Sequence, residues 1–128
     1  MDASALSEAA LEPRGVALPE CGQPSRELLA AWLLLLLRRR PGHGYDLQRQ
    51  LETLGIPTES GAMYRALRRL EREGFTQSSW AKSVAGPQRR LYSVTAKGRR
   101  ELEALVAAIT VKRDVHAAFL DAHDEALR

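Results

Sequence analysis

Apolar positions along this chain change rhythm several times, and each rhythm predicts an element. From Leu28 to Leu37 (LLAAWLLLLL) the chain is apolar without interruption. Ser25 is placed to cap a helix there, and Pro41 and Gly42 end it after about Arg39. A helix with no polar face must be covered on every side. One small domain cannot do that, so a second subunit is expected as the cover. Leu47, Leu51 and Leu54 then recur at i, i+4 and i+7, which predicts a second helix from about Tyr45 to Thr53, turning at Gly55, Ile56 and Pro57. A third helix is predicted over Ser60 to Glu73, with Gly74 as its stop. Two short strands follow, about Phe75–Lys82 and Arg89–Val94, joined by a Ser83–Gln88 loop containing Gly86-Pro87.

Thr95 is placed to cap a last helix reaching about Ala126. At 1.5 Å per residue it would be roughly 45 Å long, longer than the domain it leaves, so it also calls for a partner. Its apolar residues form two stripes, Leu102, Leu105 and Ile109, then Val111, Val115, Ala118 and Ala122. The drift between them predicts packing first on its own domain and then on the partner, with Ile109-Thr110-Val111 marking a local irregularity. The fold class is therefore mainly α with a small β-hairpin. Residues 1–24 form a tail, broken by Pro13, Pro19 and Pro24, with room for a short helix at Ser4–Leu11. Residues 25–95 form a winged helix-turn-helix, and residues 96–128 a C-terminal dimerisation helix.

Charge changes this picture by localising it. The net charge of +3 hides a segregation: residues 38–100 carry fourteen basic and five acidic side chains, while 1–27 carry two and five, and 101–128 three and six. A basic middle between acidic flanks predicts a polyanion site in one place. Sixteen of the basic residues are Arg, suited to planar contacts with phosphate or guanine and also in keeping with a GC-rich genome. Cys21 is the only cysteine, which excludes an intrachain disulfide and a thiolate metal cluster. The apolar run is far short of the ~20 residues of a bilayer span, and acidic residues before it argue against a signal peptide. A cytoplasmic protein without membrane contact is expected.

On a helical wheel the third helix separates cleanly. Met63, Ala66, Leu67 and Leu70 share the core side, and Gly61, Arg65, Arg68 and Arg72 lie nearly opposite. Tyr64 flanks that face on one edge, with Ala62 and Arg69 on the other. A solvated arginine face is the plain interpretation. The turn and helix before it, and the Arg89-Arg90 pair beyond a Gly-Pro tip, favour DNA instead. Arg65 or Arg68 would read guanine, each bidentate pair worth roughly 1–3 kcal/mol of discrimination. Gly61, near the amino end, would let the helix approach the major groove closely. Tyr64 and Arg69 would hold phosphates, Arg89 and Arg90 would take the backbone or minor groove, and Ser60 and Lys82 are further DNA-binding candidates. Lys97, Arg99 and Arg100 sit where a helix dipole disfavours cations, which predicts a compensating anion nearby.

The remaining singular residues favour structure over chemistry. Trp80 reads as a packing residue bracing the hairpin, and His43 as a residue shaping the turn into the second helix. Trp32 and Leu36 on the first helix, with His116 and Phe119 on the last, are the candidate dimer-interface or effector-pocket residues. His116 and His123 share a face without a third ligand, so no metal site is expected. The sequence has no phosphate loop, nucleophile elbow or supported carboxylate pair, so neither an enzyme nor a cofactor is expected.

Three segments resemble the PadR family of bacterial transcription regulators: HGYDLQRQLE at His43–Glu52, MYRALRRLEREG at Met63–Gly74 and GPQRRLYSVTAKGRREL at Gly86–Leu102. The resemblance covers roughly Leu28 to Leu105. It implies a winged-helix homodimer on a pseudo-palindromic operator, usually a repressor, of the compact branch with a single helix after the wing. Where the family often opens its recognition helix with Ser-Pro-Gly-Thr-Leu-Tyr, this chain has Glu59-Ser60-Gly61-Ala62-Met63-Tyr64. The cap must then be Thr58 or Ser60. Some members stack planar drugs on a tryptophan of the last helix, and here Phe119 is its only aromatic residue. The leading reading is thus a homodimeric, sequence-specific regulator binding double-stranded operator DNA, with any small-molecule effector at the dimer interface. The alternative is a winged-helix dimer serving as a protein-interaction or ligand-sensing module.

Overall fold

A computed structural model describes residues 23–56, 58–81 and 89–128. The tail with its Ser4–Leu11 segment, Pro57, and the loop with Lys82 lie outside the described residues. Helix α1 spans Arg26–Arg39, strand β1 Gly42–His43, α2 Gly44–Thr53, α3 Ser60–Arg72, β2 Thr76–Ala81, β3 Arg89–Val94 and α4 Ala96–Ala126. The sheet has the order β1-β3-β2 and is antiparallel, pairing Gly42 with Tyr92 and Thr76 with Val94. The hairpin of the sequence analysis is therefore extended by a third strand that two residues supply.

The core forms where α1, α2 and α3 cross. Leu33, Leu34, Leu36 and Leu37 of α1 meet Leu47 and Leu51 of α2 and Met63, Leu67 and Leu70 of α3, all buried. The three-helix domain thus covers α1 more fully than the sequence implied. What stays open is the edge with Leu28, Trp32 and Leu35. Ser25 Oγ accepts the Leu28 N–H at 3.1 Å and caps α1 as expected.

Helices α2 and α3 end alike. Gly55 and Gly74 adopt φ of +77° and +82°, which residues with a Cβ rarely enter. In each case the following N–H reaches back to the last turn, Ile56 to the Leu51 carbonyl and Phe75 to the Leu70 carbonyl, both at 2.9 Å. The amino end of α3 differs from expectation. Neither Thr58 nor Ser60 is the cap; Glu59 holds that position without a side-chain cap bond. The Glu59 N–H is instead taken by Gln23 Oε1 at 2.8 Å.

Helix α4 runs unbroken for 31 residues. No irregularity marks Ile109-Thr110-Val111, where the Thr110 hydroxyl donates to the Val106 carbonyl of the preceding turn at 2.7 Å. Its start is pinned to the α3–β2 turn. Thr95 Oγ1 accepts the Gly98 N–H and donates to the Gly74 carbonyl at 2.7 Å, while the Thr95 N–H donates to the Phe75 carbonyl. A Cβ on Gly98 would collide with that Phe75 carbonyl, so only glycine permits the approach. Lys97 donates to the Glu73 carbonyl at 2.8 Å. Lys97 therefore meets the carboxyl end of α3, a neutral carbonyl and not the anion expected near this basic first turn. No described helix is long and apolar enough to cross a membrane.

Candidate nucleic-acid interface

The amphipathic pattern of α3 sets the site. Met63, Ala66, Leu67 and Leu70 are buried, as the wheel required, so the opposite face is forced outward. Arg65, Arg68 and Arg72 are exposed there, and Arg69 and Tyr64 are half-buried at its margins. Ser60 is exposed at the amino end. Arg65 Nη1 and Glu59 Oε1 each lie 3.0 Å from where a Cβ on Gly61 would be, so the missing side chain makes room for groups of its own helix.

The wing is brought to α3 by a short chain of contacts. Ser78 on β2 donates to Glu71 Oε1 at 2.7 Å, and the other carboxylate oxygen stands 3.8 Å from Arg90 Nη1. Arg90 also lies over the ring of Trp80, 5.3 Å from its centroid, directly across the ladder. Trp80 thus packs across the hairpin on the arginine, while its ring stays 64% exposed. His43 occupies the N-cap of α2 without capping it through its side chain. Its Nδ1 pairs with the Arg90 carbonyl at 2.8 Å, tying β1 to β3. If Nδ1 carries the proton, Nε2 is left for another partner.

Between these elements lies an open cleft of about 410 Å³. Tyr64 and Arg68 of α3 form one wall, Trp80, Arg89 and Arg90 of the wing the other, with His43 and Tyr45 at the end. Of the predicted groove and wing residues among the described ones, Tyr64, Arg68, Arg89 and Arg90 line this cleft, and Ser60, Gly61, Arg65 and Arg69 do not. Three cations around a cleft of this size suit a phosphate backbone. Two residues that the sequence did not single out join the surroundings of the cleft, Tyr45 in its lining and Glu71 through Ser78 and Arg90. Tyr45 is 58% exposed in the HGYD segment, and Glu71 sits on the half-buried flank of α3.

The candidate interface residues separate differently. Leu36 is 1% exposed and belongs to the core of its own domain, so it lines no outer surface. Trp32 borders a groove of about 270 Å³ between α1 and α4, with Leu28, Leu35, Val106 and Ile109. His116 borders its continuation of about 510 Å³, with Leu28, Lys112 and Leu120. Phe119 lies outside both, exposed and stacked 6.3 Å from His123. Among the described residues no His, Cys, Asp or Glu cluster fits a metal ion.

The Transcriptional regulator PadR-like family matches residues 33–104, more than half of the chain. A PadR family transcriptional regulator from Eggerthella lenta is 34% identical, with a TM-score of 0.67 over 72% of this chain and 80% of its own. A putative transcriptional regulator from Thermoplasma acidophilum is 29% identical, with a TM-score of 0.67 over 75% and 93%. The Bacillus subtilis PadR solved in complex with operator DNA is 26% identical, with a TM-score of 0.58 over 62% of this chain and 46% of its own. None of the curated proteins matches. The helix order, the winged sheet and these matches together make the chain a member of the PadR-like family of transcriptional regulators, and not an enzyme.

Proposed function

We propose that this regulator binds operator DNA as a homodimer, with α3 in the major groove and the wing on the adjacent backbone, and that it represses by occluding a promoter. The observation that carries this is the convergence of Arg68 from α3 with Arg89 and Arg90 from the wing around one open cleft. Arg65 and Arg68 read base edges, while Tyr64, Arg69 and the wing arginines hold phosphates. That a relative was solved in complex with operator DNA supports DNA as the ligand.

Two copies are supported by α4. Every residue from Val111 to Arg128 is exposed, including Val111, Val115, Phe119 and Leu120. An isolated helical extension of this kind is marginal in water, and the groove between α1 and α4 continues along it. A twofold pair would set the two α3 helices on half-sites about 34–36 Å apart, or a multiple of that. A small effector, where one acts, would enter the groove beside Trp32 and alter that spacing.

A fluorescence titration on the DNA upstream of its own gene tests the reading. Arg65→Ala with Arg68→Ala should abolish discrimination between operator and scrambled duplex. Undiminished specific binding would sink the assignment of α3. A folded dimer that ignores duplex DNA even at low salt would favour a protein-interaction or ligand-sensing module.

A further inference from the structure

The imidazole of His43 borders the cleft beside Tyr45 of α2, Tyr64 and Arg68 of α3, and Arg89, Arg90 and Tyr92 of β3. Its Nδ1 stands 2.8 Å from the Arg90 carbonyl. A carbonyl oxygen only accepts, so Nδ1 is the donor and carries a hydrogen whether the ring is neutral or charged. Nε2 is then a bare lone pair in the neutral ring and a second N–H in the charged one. Among the described residues Nε2 has no hydrogen-bond partner. The charged side chains on the cleft walls are Arg68, Arg89 and Arg90. Of these, Arg90 has a carboxylate near it, Glu71 at 3.8 Å. Asp46, in the first turn of α2, is exposed and does not line the cleft.

We propose that His43 is a phosphate-binding residue that acts only as the imidazolium, so that binding of duplex DNA takes up a proton at Nε2. The inference rests on the reading of this cleft as a seat for the DNA backbone. A phosphate oxygen accepts hydrogen bonds, so the lone pair of the neutral ring repels it and the N–H of the charged ring binds it. The phosphate charge favours the protonated ring in turn. Imidazole is the side chain whose charge ordinarily changes between about pH 5 and 8. The contact is therefore present on the acid side and lost as pH rises through the titration of the bound ring. One linked proton changes affinity by at most about tenfold per pH unit. The bond to the Arg90 carbonyl persists in both states. Titration thus alters what faces the DNA and not how β1 is held against β3.

Anisotropy titrations of the full chain and of His43→Asn with a random-sequence duplex test this across pH and salt. Asparagine offers an amide N–H where Nδ1 stands, which keeps the tie to the Arg90 carbonyl, and has nothing in the place of Nε2. The full chain should bind about three- to tenfold tighter at about pH 6 than at about pH 8. Its salt slope should be steeper by about one at the lower pH, for one more phosphate neutralised. His43→Asn should match the full chain at the higher pH and lack both gains at the lower. Imidazole nitrogen spectra locate the proton directly. Near neutral pH, added duplex should move His43 from the Nδ1–H tautomer toward protonation on both nitrogens. Equal pH responses in the two proteins, or a neutral His43 in the complex at about pH 6, would overturn the proposal and leave the DNA reading standing. If neither protein binds duplex at low salt at any pH, the DNA reading fails and the proposal with it.

Discussion

The ring of Tyr64 occupies the space that a Cβ on Gly44 would need. Helices α2 and α3 can therefore place an aromatic residue at the margin of the cleft only because the first residue of α2 has no side chain. Gly44→Ala should push the ring outward, destabilise the domain by about 1–3 kcal/mol and weaken DNA binding. Tyr64→Ala should recover the stability but not the binding. Urea denaturation of the two single variants and the double variant gives the coupling energy.

Glu71 joins the recognition helix to the wing through Ser78 and Arg90. Glu71→Ala should loosen that link while leaving the core stripe of α3 untouched. The expected result is a loss of about three- to tenfold in affinity, mostly sequence-independent, as for other phosphate-positioning contacts. Comparing operator with scrambled duplex across a salt series checks it. A loss confined to operator would contradict this role.

Thr76 is the one buried polar side chain among the described core residues, and its hydroxyl has no hydrogen-bond partner there. An unpartnered buried hydroxyl is costly, whereas a methyl of the same shape is not. Thr76→Val should raise stability by about 1 kcal/mol and the melting temperature by about 4–8 °C. Thermal unfolding by circular dichroism measures both.

Val115 and Leu120 are exposed on α4 and take no part in the core of their own domain. Val115→Asp with Leu120→Asp should leave the domain folded and abolish the proposed dimer, leaving a monomer. Sedimentation velocity would show the shift, and near-ultraviolet circular dichroism would show that packing around Tyr92 is kept. Half-site binding should remain, weakened, because the two sites are no longer linked.

The faces of α3 were legible because four apolar residues at helical spacing leave only one way to turn the helix, and the arginines then face outward. The Schellman ends at Gly55 and Gly74 were legible for a similar local reason. Strand β1 was not, since Gly42 and His43 have no alternation to read and become a strand only because β3 passes beside them. The packing of Trp80 within the hairpin was legible, but its exposure was not, since an aromatic residue in a strand usually packs on a body beneath it. Here it lies near the far end of β2, where its cross-strand neighbour is Arg90. Gln23 at the cap of α3 was out of reach altogether, because 36 residues separate the donor from the acceptor. Leu36 was assigned outward since an all-apolar helix gives no phase, and only the crossing of three helices decides which side of α1 is left over.

Thr95 and Gly98 hold the root of α4 against the same turn that ends α3. The long helix is therefore a lever with its fulcrum at the carboxyl end of α3. Over roughly 45 Å, a tilt of about 5° at that fulcrum corresponds to a sweep of about 4 Å at the far tip. Run in reverse, a modest push far from the DNA arrives at Gly74 reduced in travel but multiplied in force, delivered to the joint between helix and wing.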